Sequence, residues 1–115
     1  MPFSVSRLDE ELRNGKPVFL DFTAEWCLTC KVNEKTVLNA DDVVAAIRTS
    51  GIVTMKADWT NRNPEITRLL QKFRRSGVPL YVLFPANRPD APIVLPEVIT
   101  AEIVIEAIRK AAPVR

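Results

Sequence analysis

The fold of this chain is indicated by residues 19–31, which read FLDFTAEWCLTCK. An apolar run from Val18 to Phe22 is typical of a buried β-strand. Soon after it come Cys27 and Cys30, in a segment without Gly or Pro that predicts a helix from Cys27 to Leu38. A Cys-x-x-Cys pair at the start of a helix predicts dithiol chemistry, because the helix dipole and the unpaired backbone N–H groups stabilise a thiolate there.

The chain has two cysteines and no histidine. Their spacing indicates that Cys27 is the attacking thiol and Cys30 the resolving thiol, with the ring of Trp26 covering one side of the sulfur. Alternatives stay open at this point, namely a structural disulfide or a metal site. Tetrahedral zinc needs four ligands, whereas this chain offers two thiolates and no imidazole; Cu(I) can be held by two thiolates.

Turn residues and apolar periodicity divide the rest of the chain into helices and strands. We expect a helix Ser6–Asn14 capped by Ser6, a helix capped by Asn39 and ending at Ser50, a strand 52–58, a helix opened by Asn63-Pro64, strands 80–84 and 93–95, and a last helix capped by Thr100. This order predicts one α/β domain over residues 1–115, with helices on both faces of a mixed sheet.

Composition restricts the possible functions. The chain has 115 residues, 47% of them hydrophobic, and a formal net charge of +2. This near balance does not favour nucleic-acid binding or a polybasic membrane surface. The chain contains no apolar run of the ~18 residues that a membrane span needs, and its start lacks the apolar region of a secretory signal. An excised domain of a larger protein would look the same.

Two carboxylates are candidates for tuning the thiols. Asp21 interrupts an apolar strand, where a carboxylate is costly unless it is neutral or paired, and Lys56 is its possible partner. The alternatives are that Asp21 faces water at a strand end and that Lys56 reaches solvent. Glu34 shares a helix face with both cysteines, although such a glutamate is often simply solvated. If both carboxylates are ionised they disfavour the Cys27 thiolate, so we expect a raised Cys27 pKa and a reductant.

A family resemblance is carried by several of these stretches. Residues 19–31 resemble the active-site segment of thioredoxins, and residues 77–84, GVPLYVLF, resemble their cis-proline segment. The stretches 58–61, 75–81 and 94–97 are similar to the C-terminal thioredoxin-like domain of DsbD-type thiol:disulfide interchange proteins. Leu28-Thr29 stands where thioredoxin has Gly-Pro, which leaves the redox potential and the choice of partner undetermined.

The resemblance implies a thioredoxin-like fold and particular roles for site residues. Asp21 would match the buried aspartate that helps move the proton during exchange, and DsbD-like domains carry a carboxylate at the position of Glu34. The Val78–Pro79 bond would be cis and lie beside the disulfide, with the Val78 backbone free to pair with a partner segment. The alternative is an ordinary trans proline that begins a strand. Trp26, Val78 and Pro79 would then form the docking surface.

The resemblance also implies a function. The chain would be a monomeric protein-disulfide reductase domain, excised from a larger membrane protein and located on the periplasmic side of the bacterial inner membrane. It would take electrons from a membrane-embedded cysteine pair and pass them to a thioredoxin-like or immunoglobulin-like acceptor domain. That acceptor would serve disulfide isomerases and cytochrome c maturation. No metal and no cofactor beyond the Cys27–Cys30 disulfide is expected. The alternatives are a thiol oxidase or isomerase, a Cu(I)-handling module and a redox-inert interaction domain.

Overall fold

The computed structural model describes residues 2–112, and a four-stranded mixed sheet lies at its centre. The strands are β1 (Val18–Thr23), β2 (Val53–Asp58), β3 (Leu80–Phe84) and β4 (Ile93–Val94), in the spatial order β2-β1-β3-β4. β1 is parallel to β2 and antiparallel to β3, and β4 is antiparallel to β3. The predicted mixed sheet is confirmed; β3 has the expected ends, and β1, β2 and β4 each differ from the prediction by one residue at one end.

Helices cover both faces of this sheet. They are α1 (Val5–Arg13), α2 (Leu28–Asn33), a π turn (Glu34–Leu38), α3 (Asp41–Ser50), α4 (Pro64–Lys72) and α5 (Ala101–Ala111). α1 and α4 bury apolar side chains with Leu20 and Phe22 on one face, and α3, α5 and the π turn pack with Phe19 and Tyr81 on the other. Because both faces are covered, all five residues of β3 are buried, as expected for a central strand.

Two of the expected helix starts are wrong. α1 begins at Val5 because Ser4, not Ser6, is its N-cap: the Ser4 Oγ atom accepts the Arg7 N–H at 3.1 Å. Asn39 does not cap α3, since its backbone (φ −93°, ψ 1°) is not extended as an N-cap requires. Ala40 takes the N-cap position without a side-chain hydrogen bond. The caps expected at Asn63 and Thr100 are confirmed.

The continuous α-helix expected from Cys27 to Leu38 is also wrong. It changes at Glu34 into a π turn, in which the Asn39 N–H donates to the Glu34 carbonyl at 2.9 Å. Within the π turn, the Thr36 hydroxyl donates at 2.7 Å to the carbonyl of Val32, which lies in the last turn of α2. A threonine hydroxyl that bonds the carbonyl four residues earlier loosens the helical ladder and favours a bend. The helix that carries the cysteines is therefore short, and its continuation follows a different geometry.

Candidate active site

The two cysteines are joined by a disulfide at the start of α2, with their Cα atoms 5.3 Å apart. Cys27 is the N-cap of this helix, and its Sγ atom accepts the Cys30 N–H at 3.1 Å. Cys27 is 7% exposed and Cys30 is 2% exposed. The first cysteine is thus the more accessible of two well-covered residues, which is the order of exposure that an attacking Cys27 requires.

Beneath the disulfide, the chain segment before β3 closes the site. Val78 packs against Ala24, Cys27 and Cys30. The Val78–Pro79 bond is cis, as expected, and Pro79 is buried. Within the described part of the chain, neither the N–H nor the carbonyl of Val78 has a hydrogen-bond partner. A backbone edge beside the sulfurs is therefore available to an incoming strand.

The outer side of the site is apolar and exposed. We call the exposed side chains of Trp26 and Leu28, together with the Val78 backbone, the docking rim. Trp26 is 50% exposed and Leu28 is 77% exposed. The Trp26 ring is fixed by a hydrogen bond from its Nε1 atom to the Thr60 carbonyl at 3.0 Å, and it lies 5.8 Å from the buried ring of Trp59. Exposed apolar groups held in place beside a reactive bond are typical of a protein-docking surface.

The inner side of the site is a cleft of about 240 Å³ on the sheet face that carries α3 and α5. Asp21, Glu34 and Lys56 line it together with apolar side chains, and we call it the carboxylate cleft. Asp21 and Lys56 are register partners on β1 and β2, but the Lys56 Nζ atom forms its ion pair with Glu34 Oε2, at 3.4 Å. Of the two possibilities considered for Lys56, a pair with Asp21 or a solvent-exposed position, the structure shows a half-exposed lysine that pairs with Glu34 and lies beside Asp21.

Asp21 has a perturbed acidity. It lies inside β1 rather than at a strand end, and its side chain is half-buried. Burial raises the pKa of Asp21 to about 6, an effect that the Lys56 charge opposes and the Glu34 charge reinforces. A carboxyl group with this pKa exchanges protons near neutral pH. Glu34, the carboxylate that acts on Asp21, follows directly on α2, and its N–H donates to the carbonyls of Cys30 and Lys31.

Asn33 is a site residue that sequence reasoning missed. It is buried, and its Nδ2 atom donates to the Tyr81 hydroxyl at 3.0 Å and to the Glu97 carbonyl at 2.7 Å. Burial raises the pKa of Tyr81 to about 12, against the opposing effect of the Asn33 hydrogen bond. The available signal was its place three residues after Cys30 and four before the apolar Val37, on one helix face. Asn33 ties the end of α2 to β3 and to the loop that carries Val98.

Within residues 2–112, no group of three or more His, Cys, Asp or Glu side chains is placed to hold a metal ion. No helix in this range is both long enough and apolar enough to cross a membrane.

A disulfide at a helix start, a free backbone edge beside it and an acid of raised pKa nearby define a thiol:disulfide exchange site. The chain belongs to the thioredoxin-like family, whose model matches residues 4–86. Its structure superposes on the reduced C-terminal domain of DsbD from Neisseria meningitidis with a TM-score of 0.74 and 26% identity, covering 96% of this chain and 99% of that one. The oxidised form of that domain also superposes with a TM-score of 0.74 and 26% identity, and the superposition covers 96% of this chain and 98% of that one.

Full-length relatives give the same result. The chain is 34% identical over 112 residues to the thiol:disulfide interchange protein DsbD of Ralstonia nicotianae, covering 94% of this chain and 18% of that protein. It is 36% identical over 86 residues to the DsbD of Klebsiella pneumoniae, covering 73% of this chain and 14% of that protein. The predicted thioredoxin-like fold and the similarity to DsbD-type thiol:disulfide interchange proteins are confirmed. The chain spans less than a fifth of the length of the curated relatives it matches.

Proposed function

We propose that this domain relays electrons from a membrane-embedded cysteine pair to soluble acceptor proteins on the periplasmic side of the bacterial inner membrane. In this proposal residues 1–115 are one monomeric domain of a longer membrane protein. The observation that carries the proposal is the Cys27–Cys30 disulfide, set in a fold that covers 99% of the DsbD C-terminal domain. The electron pair would reside in the two sulfurs, without a metal or an organic cofactor.

The proposed cycle has two halves. In the first, a donor thiolate attacks Cys27 Sγ, and Cys30 leaves as a thiolate that takes up a proton. The second donor thiol then resolves the mixed disulfide, which oxidises the donor and reduces the domain. In the second half the Cys27 thiolate attacks the acceptor disulfide. Cys30 then attacks Cys27, so the acceptor leaves as a dithiol and the Cys27–Cys30 bond forms again.

The charges around α2 support reduction of acceptors as the direction of this cycle. The helix start favours the Cys27 thiolate, whereas ionised Asp21 and Glu34 disfavour it. Lys31 would favour the thiolate too, but its Nζ atom lies 3.0 Å from Glu25 Oε2. A dithiol form that is not specially stabilised gives up its electrons readily. We assign Asp21 and Glu34 to the proton steps on this basis.

Trp26, Val78 and Pro79 are assigned to docking. The unpaired N–H and carbonyl of Val78 would add a short partner strand beside the sulfurs, while the Trp26 ring covers apolar surface of the partner. Such a mode selects extended segments around the partner cysteine.

The test is to trap the partners. A Cys30→Ser variant in bacterial membranes should accumulate a mixed disulfide through Cys27, because the resolving thiol is missing. A membrane protein among the trapped species supports the relay, and the matched Cys27→Ser/Cys30→Ser variant should trap nothing. Trapping of soluble proteins alone would contradict the membrane donor.

Further measurements separate the alternatives. A reduction potential of about −270 mV is expected for a reductant, whereas a potential of about −120 mV would identify an oxidase. Stoichiometric Cu(I) retained against a competing chelator would favour a copper-handling module. A dithiol form that reduces no disulfide, or a Cys27→Ser variant with full function, would favour a redox-inert interaction domain.

A further inference from the structure

Arg62 occupies a distinctive position next to the docking rim. Its Cζ atom lies 5.0 Å from the centroid of the Trp26 ring and 4.9 Å from that of Trp59. Its backbone is left-handed, with φ 53°, and its N–H donates to the Trp59 carbonyl at 2.9 Å. This tight turn returns the arginine over the two indoles, where a cation is attracted by the ring faces. The guanidinium is thus held beside the residue that precedes Cys27.

Within the described residues, the positive charge of Arg62 meets the two indole rings but no carboxylate. Across residues 2–112 its guanidinium makes no ion pair and no hydrogen bond. Glu25, the exposed carboxylate next to Trp26, is paired with Lys31, and the carboxylate of Asp58 accepts hydrogen bonds from the N–H and the hydroxyl of Thr60. The planar edge of Arg62 therefore keeps its donors for a group outside the described chain.

We propose that Arg62, held on Trp26, binds a carboxylate that lies next to the reactive cysteine of the partner. A guanidinium stacked on an aromatic ring leaves its N–H edge exposed, and that edge matches the two oxygens of a carboxylate. The occupant is a protein segment rather than a free anion, since its sulfur must reach Cys27, the residue next to Trp26. The inference rests on the proposed reductase function and adds a preference for acidic segments.

The test uses two synthetic peptides as disulfide-linked homodimers, acetyl-Ala-Glu-Cys-Glu-Ala-amide and the same peptide with Gln in place of Glu. The reduced protein is mixed with each, and second-order rates are measured by acid quench and chromatography. Each rate is divided by the rate at which dithiothreitol reduces the same peptide disulfide, so that differences in intrinsic reactivity between the two peptides cancel. The measured quantity is the ratio of the acidic to the neutral peptide.

Arg62→Gln should lower this ratio about threefold to fivefold, the size expected for an exposed charge pair, while the rate with the neutral peptide is retained. Arg62→Glu should lower it further, and Arg62→Lys should retain part of the preference because it keeps the charge without the fork. High salt should reduce the wild-type ratio towards that of Arg62→Gln. The matched control is Arg48→Gln, an equal charge change at an exposed position on α3.

Each outcome is decisive. If Arg62→Gln keeps the same ratio as Arg48→Gln, Arg62 does not select acidic segments and the inference is wrong. If the wild-type protein reduces neither peptide, both the proposed function and this inference are overturned. Reduction of both peptides with a ratio that depends on Arg62 supports the two together.

Discussion

The docking rim and the carboxylate cleft are built in opposite ways. The rim presents exposed apolar side chains, of which Leu28 is the most exposed at 77%. It also presents the backbone edge of Val78, which has no partner within the described residues. The cleft holds ionisable groups in a half-buried setting, which raises the pKa of Asp21 to about 6. The difference teaches that partner choice and proton handling are separated in this domain. Changes to the rim should alter rates with particular partners, and changes to the cleft should alter pH dependence.

The largest effect on stability is expected from Asp21→Asn. Since the pKa of Asp21 is about 6 in the folded state against an ordinary value of 3.8, the folded protein binds a proton that the unfolded chain releases. The contribution of the Asp21 carboxyl to the free energy of unfolding is therefore fully present below about pH 4, and it is lost as the pH rises through about 6. At about pH 8 the variant should be more stable by on the order of 2–3 kcal/mol, with little difference near pH 4.

Urea unfolding of the oxidised protein at both pH values measures this difference. The matched control is Asp9→Asn, the same substitution at an exposed position on α1, which should show no such pH dependence. A gain for Asp21→Asn that is equal at the two pH values would show that the carboxylate is not destabilised by its surroundings.

A somewhat smaller loss is expected from Asn33→Ala, on the helix between the two regions. Removing the amide leaves the Glu97 carbonyl without its Asn33 donor and removes a partner of the Tyr81 hydroxyl, at a cost of about 2 kcal/mol. Tyr81→Phe breaks only one of the two hydrogen bonds and should cost about 1 kcal/mol. Urea unfolding at neutral pH compares the two variants. Equal stability of wild type and Asn33→Ala would contradict a structural tie at this point.

The third effect tests how far the cleft acts on the reactive sulfur. Glu34→Gln and Asp21→Asn should each lower the pKa of Cys27 in the reduced protein, because each removes a negative charge that disfavours the thiolate. Titration of the thiolate absorbance in the ultraviolet measures the shift. Glu102→Gln, at an exposed position on α5, serves as the control. If neither cleft variant moves the Cys27 pKa, the carboxylates do not set the direction of exchange.

The smallest effect on stability is expected at the rim, from Leu28→Ser. The side chain is mostly in water, so the free energy of unfolding should change by less than about 0.5 kcal/mol. The rate of reduction of a protein disulfide should fall, while that of oxidised glutathione, which needs no docking surface, should not. Equal losses with the two substrates would place Leu28 in the chemistry rather than in docking.

Features set by local patterns could be predicted from the sequence, and features set by distant partners could not. The Cys27–Cys30 pair, the buried β1 and β3 and the Asn63 and Thr100 caps each follow from a few neighbouring residues. Asn33 could not be assigned, because a polar residue on a helix usually faces water and its partners lie 48 and 64 residues further along the chain.

Two further misses have the same origin. The ion pair of Lys56 with Glu34 depends on how α2 lies across the sheet, and the sequence suggested only Asp21 or solvent as the surroundings of Lys56. The π turn depends on the Thr36 hydroxyl and on the packing of Val37 with Phe19 and Tyr81, while the residues 34–38, EKTVL, fit an ordinary α-helix. In both cases tertiary packing chose between local conformations that the sequence allows.

The π turn also sets the orientation of the reactive half of this segment relative to its anchoring half. A π turn contains one residue more than an α turn, so the side chains after it are rotated relative to their places in a regular α-helix. If residues 34–38 formed an ordinary α-helical stretch of the same length, the disulfide would be rotated by about 100°, the angle of one residue, relative to the side chains that follow the turn. The winding of this one turn therefore fixes the direction in which the sulfurs point from the molecule.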